Sequence, residues 1–231
     1  MQLTVSDVAK ILDVPTNTVY QWISERDLPV QYVNEQYFIN RAELLEWATL
    51  QHIKLGPEIF RDKQGNYYSP VRFAKSLESG GIFYDVPGSE KALVLKEIVD
   101  RLPIPDSEDR DSLLELFLAR ETAGSTGVGD GIAIPHPRNP IVLPGAAPTI
   151  SVFFLRTPIP FGAADGKPVH TLFALVAPTV QTHLHLLGQL AVALRDAGFR
   201  DAVARHGKMD ELLTQARQVE ATFDKRANVT K

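Results

Sequence analysis

Two runs in the second half of the chain constrain its fold most. "TISVFFL" (Thr149–Leu155) and "VHTLFALVA" (Val169–Ala177) are apolar or β-branched at nearly every position. A strand wetted on one face alternates apolar and polar residues, so unbroken runs belong to strands covered on both faces. The neighbouring sequence supplies the cover. Helical patterns run through "SPVRFAKSLESGG", "GSEKALVLKEIVDRL", "DSEDRDSLLELFLARE", "TVQTHLHLLGQLAVALRDAG" and "KMDELLTQARQVEA", with short strand-like pieces at "IFYDV" and "GIAI". The first helix is expected to stop at its glycines and the second to be capped by Ser89. Strands alternating with helices predict an α/β layer fold with a covered sheet from about residue 70 onward.

At 231 residues the chain suits one large domain or two small ones, and 44% apolar residues suffice for a real core. No window approaches about eighteen consecutive apolar residues, so no membrane span is expected. The N-terminus "MQLTVSDVAK" lacks the basic and apolar regions of a secretory signal, and a cytoplasmic location is the simplest expectation. The chain has no cysteine, which excludes disulfides, thiolate zinc sites and cysteine nucleophiles within it. A net charge of −4 gives no global basic footprint for nucleic acid.

Residues 1–54 form a separate pattern. Thr4 and Asp7 have capping-box spacing ahead of a helix that buries Val8, Ala9 and Leu12. "DVP" ends it, and a second helix follows, with Thr16 as its cap and Val19, Trp22 and Ile23 inward. "VQYVNEQYFI" alternates around Asn34-Glu35 and predicts a tight hairpin; Asn40 and Glu43 then start a third helix. This order is that of a winged helix-turn-helix. Residues 55–69, rich in Pro, Gly and scattered charge and holding Tyr67 and Tyr68, are the expected linker to a second domain at 70–231.

The densest chemistry is in "ARETAGSTGVGDGIAIPHPRNP", Ala119–Pro140. A P-loop needs Lys-Ser/Thr after its second glycine, and Asp130-Gly131 stands there instead. A dinucleotide fingerprint needs a strand before the glycines and a helix after them, the reverse of the order here. His136, His170, His183 and His185 are candidates to converge on zinc, but no two have i, i+4 spacing and no cysteine assists. A plain glycine turn with His136 as a satisfied loop histidine stays open on the residues alone.

"RETAGSTGVGDGIAIPHPR" closely resembles the active-site signature of the IIA phosphocarrier domains of the bacterial phosphotransferase system, fructose/mannitol class, including the nitrogen-regulatory member. The resemblance runs from about Pro70 to Glu220 and includes "TPIPFGAADGKPVHTLFALVAP" and "THLHLLGQLAVAL". It implies a mixed β-sheet flanked by helices and phosphorylation of His136 at Nε2. Arg120 would lie beside the phosphoryl group, with His183 as second active-site histidine. The chemistry is consistent: neutral imidazole attacks phosphorus near pH 7 and leaves again readily. Arginine suits bidentate phosphate contact, and the Gly124–Gly127 turn offers backbone amides as an anion nest. Ser125 and Thr126 either contact phosphate or bond local backbone. His185, two residues from His183 on a helix, faces elsewhere, and His170 reads as structural. Pro137 departs from the small residue more common in the family; it removes an N–H and biases His136 to an extended backbone. Arg138 is a further candidate cation. The resemblance implies no cofactor, an HPr-like phosphocarrier protein as donor, and a separate IIB or regulated protein as acceptor.

"LTVSDVAKILDVPTNTVYQWISERDLP" resembles excisionase-like helix-turn-helix modules related to the MerR family. That resemblance puts the second helix in a DNA major groove, with Asn17, Thr18, Tyr20 and Gln21 outward and Tyr32–Tyr37 as wing. Charge opposes it: residues 1–54 carry four basic residues against seven acidic ones, net −3, and phosphate neutralisation supplies much of DNA affinity. The alternative is a helix-turn-helix reused for protein contacts. The whole reads as a regulator pairing DNA binding with a nitrogen-regulatory or fructose-class IIA domain. Alternatives are a sugar-uptake IIA component and a regulator that is never phosphorylated.

Overall fold

The computed structural model describes residues 2–51, 53, 55, 71–105, 110–137 and 147–229, with side chains through 222. Most of the expected linker 55–69, with Tyr67 and Tyr68, lies outside the described residues, as does Arg138.

The N-terminal unit runs β1 (Gln2–Thr4), α1 (Val5–Leu12), α2 (Thr16–Glu25), β2 (Gln31–Val33), β3 (Gln36–Asn40) and α3 (Arg41–Leu50). Thr4 and Asp7 form the full capping box, and Asp13 ends α1 in the left-handed region at φ 55°. The cap of α2 differs from expectation: Pro15 is the N-cap and no side chain bonds there, because its fixed φ of −61° already sets the entry. Asn34 and Glu35 take φ of 48° and 63°, the paired positive values that a two-residue hairpin turn of this hand requires. The unexpected β1 pairs with β3, so the wing is a three-stranded sheet. Asn40 caps α3 by accepting from Ala42 N.

The second unit runs α4 (Phe73–Gly80), β4 (Ile82–Val86), α5 (Lys91–Arg101), α6 (Arg110–Thr122), β5 (Gly127–Gly129), β6 (Ile132–Ala133), β7 (Thr149–Ile159), β8 (Val169–Val176), α7 (Val180–Ala193), α8 (Ala197–Ala204) and α9 (Met209–Val229). Its sheet is mixed, in the order β4-β7-β8-β6-β5, with β4/β7 and β6/β8 parallel and the other pairs antiparallel. The apolar runs are its two central strands, and each divides by the period of two. Ile150, Val152, Phe154, Phe173 and Leu175 join the core shared with α4, α7, α8 and α9. Phe153, Leu155, Leu172, Ala174 and Val176 join that of α5 and α6.

Two expectations are corrected. Ser89 does not cap α5; Glu90 is the N-cap and makes no side-chain bond. The helix expected through "ALRDAG" breaks, because Asp196 accepts from Phe199 N at 3.0 Å and begins α8.

The two units meet. α3 packs on α7 and β5. Leu44, Leu45, Trp47 and Ala48 of α3 belong to the same buried cluster as Val128, Leu186 and Leu187.

Candidate functional site

The last turn of α6 sends two adjacent side chains to the glycine loop. Arg120 Nη1 donates to Gly124 O at 2.9 Å. Glu121, buried, accepts from Thr126 N at 3.1 Å on each oxygen, from Thr126 Oγ1 at 2.6 Å and from Lys91 Nζ at 2.9 Å. Ser125 Oγ donates to Phe161 O at 2.8 Å and accepts from Gly127 N at 3.1 Å. The hydroxyls of Ser125 and Thr126 are thus engaged within the protein. A Cβ on Gly127 would lie 2.7 Å from Ala163 Cβ and 2.9 Å from its Cα, so only glycine lets the loop approach the 161–168 segment.

The chain then turns at Asp130-Gly131, with φ of 51° and 74°, and returns through β6. Ile134 N bonds Thr126 O at 3.0 Å and Leu175 N bonds Pro135 O at 3.1 Å, which carries the backbone past β8 to His136. His136 is 2% exposed, and its Nδ1 lies 2.7 Å from Ile134 O. A carbonyl only accepts, so Nδ1 holds a proton and Nε2 faces the pocket. Pro137 is buried beside it.

His183, in the first turn of α7, lies with its ring centroid 4.9 Å from that of His136. Burial first, then the positive fields of His136 and Arg120, push its pKa down to about 3. It is therefore neutral near pH 7, and its Nε2 is buried with no hydrogen-bond partner among the described residues. His185 is buried too, and burial lowers its pKa; His170 bonds Thr171 Oγ1 at 2.8 Å away from the pocket.

The remaining group comes from the N-terminal unit. Glu46 on α3 places Oε1 3.0 Å from His136 Nε2 and binds Arg120 Nη2 through Oε2. Around this contact is a cleft of about 450 Å³, lined among others by Glu43, Glu46, Trp47, Arg120, Gly124 and His136. Arg120, Gly124, Ser125, Thr126, Gly127 and His136 thus share one pocket wall. Among the described residues, no group of three or more His, Asp or Glu is placed to hold a metal ion.

Asn17, Thr18, Tyr20 and Gln21 lie apart from that wall on α2. Asn17, Tyr20 and Gln21 are exposed and Thr18 is half-buried. Tyr20, 51% exposed, meets Tyr37 of the wing edge-on at 6.2 Å, and Tyr37 meets Tyr32 at 4.9 Å.

A mixed sheet thus delivers one oriented, buried imidazole to an arginine and a glycine loop, in a unit joined to a helix-turn-helix. Residues 75–217 match the family described as the phosphoenolpyruvate-dependent sugar phosphotransferase system, EIIA 2, and residues 3–51 match a helix-turn-helix domain family. The chain belongs to the EIIA type 2 family. It is 40% identical over 136 residues to the nitrogen regulatory protein of Pseudomonas aeruginosa, covering 57% of this chain and 85% of that one. With the nitrogen regulatory protein of Escherichia coli it shares 46% identity over 87 residues, 36% of this chain and 52% of the other. The solved nitrogen regulatory protein IIA-Ntr from Neisseria meningitidis superposes with a TM-score of 0.54 at 29% identity, over 62% of this chain and 97% of that one. No helix of the described residues is long and apolar enough to cross a membrane.

Three residues of the site carry little or no local signal in the sequence. Glu121 was visible only as half of an Arg-Glu pair, and Lys91 as one charge on an amphipathic helix. Glu46 gave no local signal: it counted simply as one acidic residue of an acidic helix-turn-helix.

Proposed function

We propose that the chain is a regulatory phosphocarrier in which His136 Nε2 accepts a phosphoryl group from an HPr-like protein, joined to a DNA-binding helix-turn-helix. The observation that carries this reading is the hydrogen bond from His136 Nδ1 to Ile134 O, which leaves Nε2 as the ring nitrogen on the pocket side, in the cleft that Arg120 also lines. The Nε2 pair attacks phosphorus and forms the N–P bond. The bond from phosphorus to the donor breaks, and its electron pair returns to the donor. The ring keeps its Nδ1 proton, and Ile134 O stabilises the resulting positive ring. Arg120 sets its charge against the phosphoryl oxygens, and neutral His183 has an unspent Nε2 to offer them. Separate regulated proteins or a IIB partner receive the group, and α2 with its exposed Asn17, Tyr20 and Gln21 meets DNA. The similarity to nitrogen regulatory proteins supports a regulatory role over sugar uptake.

The test is incubation with phosphoenolpyruvate, enzyme I and HPr. The expected result is an acid-labile, alkali-stable label on the wild type that His136→Ala lacks. Absence of label from the wild type and from every pocket variant refutes the carrier.

A further inference from the structure

We infer that Glu46 is a built-in stand-in for the phosphoryl group, so that docking of the helix-turn-helix unit closes the His136 site and phosphorylation forces the unit off. This rests on the carrier reading above and adds its regulation.

Three observations carry it. First, one carboxylate bridges the nucleophile and its cation: Oε1 lies 3.0 Å from His136 Nε2 while Oε2 binds Arg120. Two anionic oxygens between a ring nitrogen and a guanidinium are what a phosphoryl group would present there. Second, the hydrogen-bond arithmetic silences the ring. Ile134 O accepts a hydrogen bond from Nδ1, and a carboxylate also only accepts. His136 in this contact therefore donates from both nitrogens and has no lone pair with which to attack phosphorus. Among the described residues, the charged or titratable groups around it are Arg120 from α6, His183 from α7 and Glu46 from α3, with Glu43 and Asp27 farther along the cleft. Third, the carboxylate is not a stray surface charge. Its side chain is 17% exposed, and Trp47 and Ala48 beside it are buried in the cluster that includes Leu186 and Leu187 of α7.

The docked unit thus bars the donor sterically and chemically. The exposed face of α2 is free in the docked arrangement, so the gate controls access to His136 and leaves the DNA-facing helix open in both states.

Both tryptophans of the chain, Trp22 and Trp47, are in the helix-turn-helix unit, and Trp47 lines the cleft, so fluorescence reports docking. The experiment compares full-length wild type with E46Q and E46A for initial labelling rate by phospho-HPr. It also follows acrylamide quenching of tryptophan before and after phosphorylation. With an open state near the ten-per-cent end of minor populations, removing the carboxylate accelerates labelling about tenfold. Wild-type quenching is expected to rise on phosphorylation, and unphosphorylated E46Q to be quenched more than unphosphorylated wild type. Equal labelling rates in all three proteins, with quenching unchanged by phosphorylation, overturn the gate and leave the carrier intact. No label in any of them overturns both.

Discussion

The glycine loop is held mainly by Glu121, and the strength of that hold can be measured. Its carboxylate is 4% exposed and receives the Thr126 amide, the Thr126 hydroxyl and Lys91. Hydrogen bonds to a charged group are each worth about 1.5–3 kcal/mol. In Glu121→Gln one oxygen is retained, so part of the bonding survives, while the new amide NH2 faces donors. Lys91 is 32% exposed and can return to water, which discounts the ion pair. The expected loss is about 2–4 kcal/mol, short of a fully buried pair broken on one side. Thr126→Val removes only the hydroxyl bond and is expected to lose about 1–2 kcal/mol.

The assay is urea unfolding of both single variants and the double variant, with labelling rate as a second readout. If Glu121 acts through Thr126, the double variant falls short of the sum of the singles by about 1 kcal/mol or more. Labelling slows in all three, because the loop that places Arg120 and Gly127 loosens. Additive losses, or a Glu121→Gln loss within about 0.5 kcal/mol of zero, would refute the assignment of Glu121 as the loop's anchor.

Two other expectations follow from the same geometry. His183 has a folded pKa of about 3 against 6.5, so between those values the unfolded chain binds the extra proton; stability is full above pH 6.5 and falls as pH drops, by up to about 1.4 kcal/mol per unit from this group. Urea midpoints from pH 4.5 upward should show that slope, and H183Q should flatten it; an unchanged slope in H183Q counts against a buried neutral histidine. Gly131→Ala meets both φ of +74° and a Cβ 2.3 Å from His170 Nε2, whereas Gly166→Ala meets φ of +69° with nothing within 4 Å. Both should lose about 1–2 kcal/mol to backbone strain, and Gly131→Ala should lose measurably more by thermal unfolding; equal losses would show that His170 moves aside freely.

The half of the site that lies on the second unit is readable because it is contiguous. Arg120, Gly124–Gly127 and His136 lie within one short stretch, and the Asp130-Gly131 turn that folds it back is written as a dipeptide. The capping box of Thr4 and Asp7 and the Asn34-Glu35 hairpin were readable for the same reason. Elements whose signals depend on distant partners were not. β1 is three residues with only β3 to define it, and β5 is a Gly-Val-Gly piece whose glycines read as turn. α8 hides inside an apolar helical pattern until Asp196 caps it. Glu46 is separated from Arg120 by 74 positions. Nothing in α3 distinguishes its charge from Glu43 one turn earlier until the two units are packed together.

The charges in the pocket decide how complete the gate is. With Glu46 docked, Arg120 faces one negative charge. The proposed phosphorylation would add roughly two negative charges to a ring that is positive both before and after, so the charge at His136 would fall by about two. For a carboxylate about 4 Å away, at an effective dielectric near 20, that change shifts the interaction by about 8 kcal/mol, from attraction to repulsion. Even an equilibrium more one-sided than a roughly ten-per-cent open state, 99:1 docked, needs only roughly 5.5 kcal/mol to become 99:1 released. The shift exceeds this, and the phosphoryl oxygens would also claim Arg120, which binds Glu46. Apolar contacts around Trp47 and Ala48 act equally before and after phosphorylation and set only the starting ratio. A charge change confined to His136 is therefore large enough to convert a closed, docked molecule into an open one.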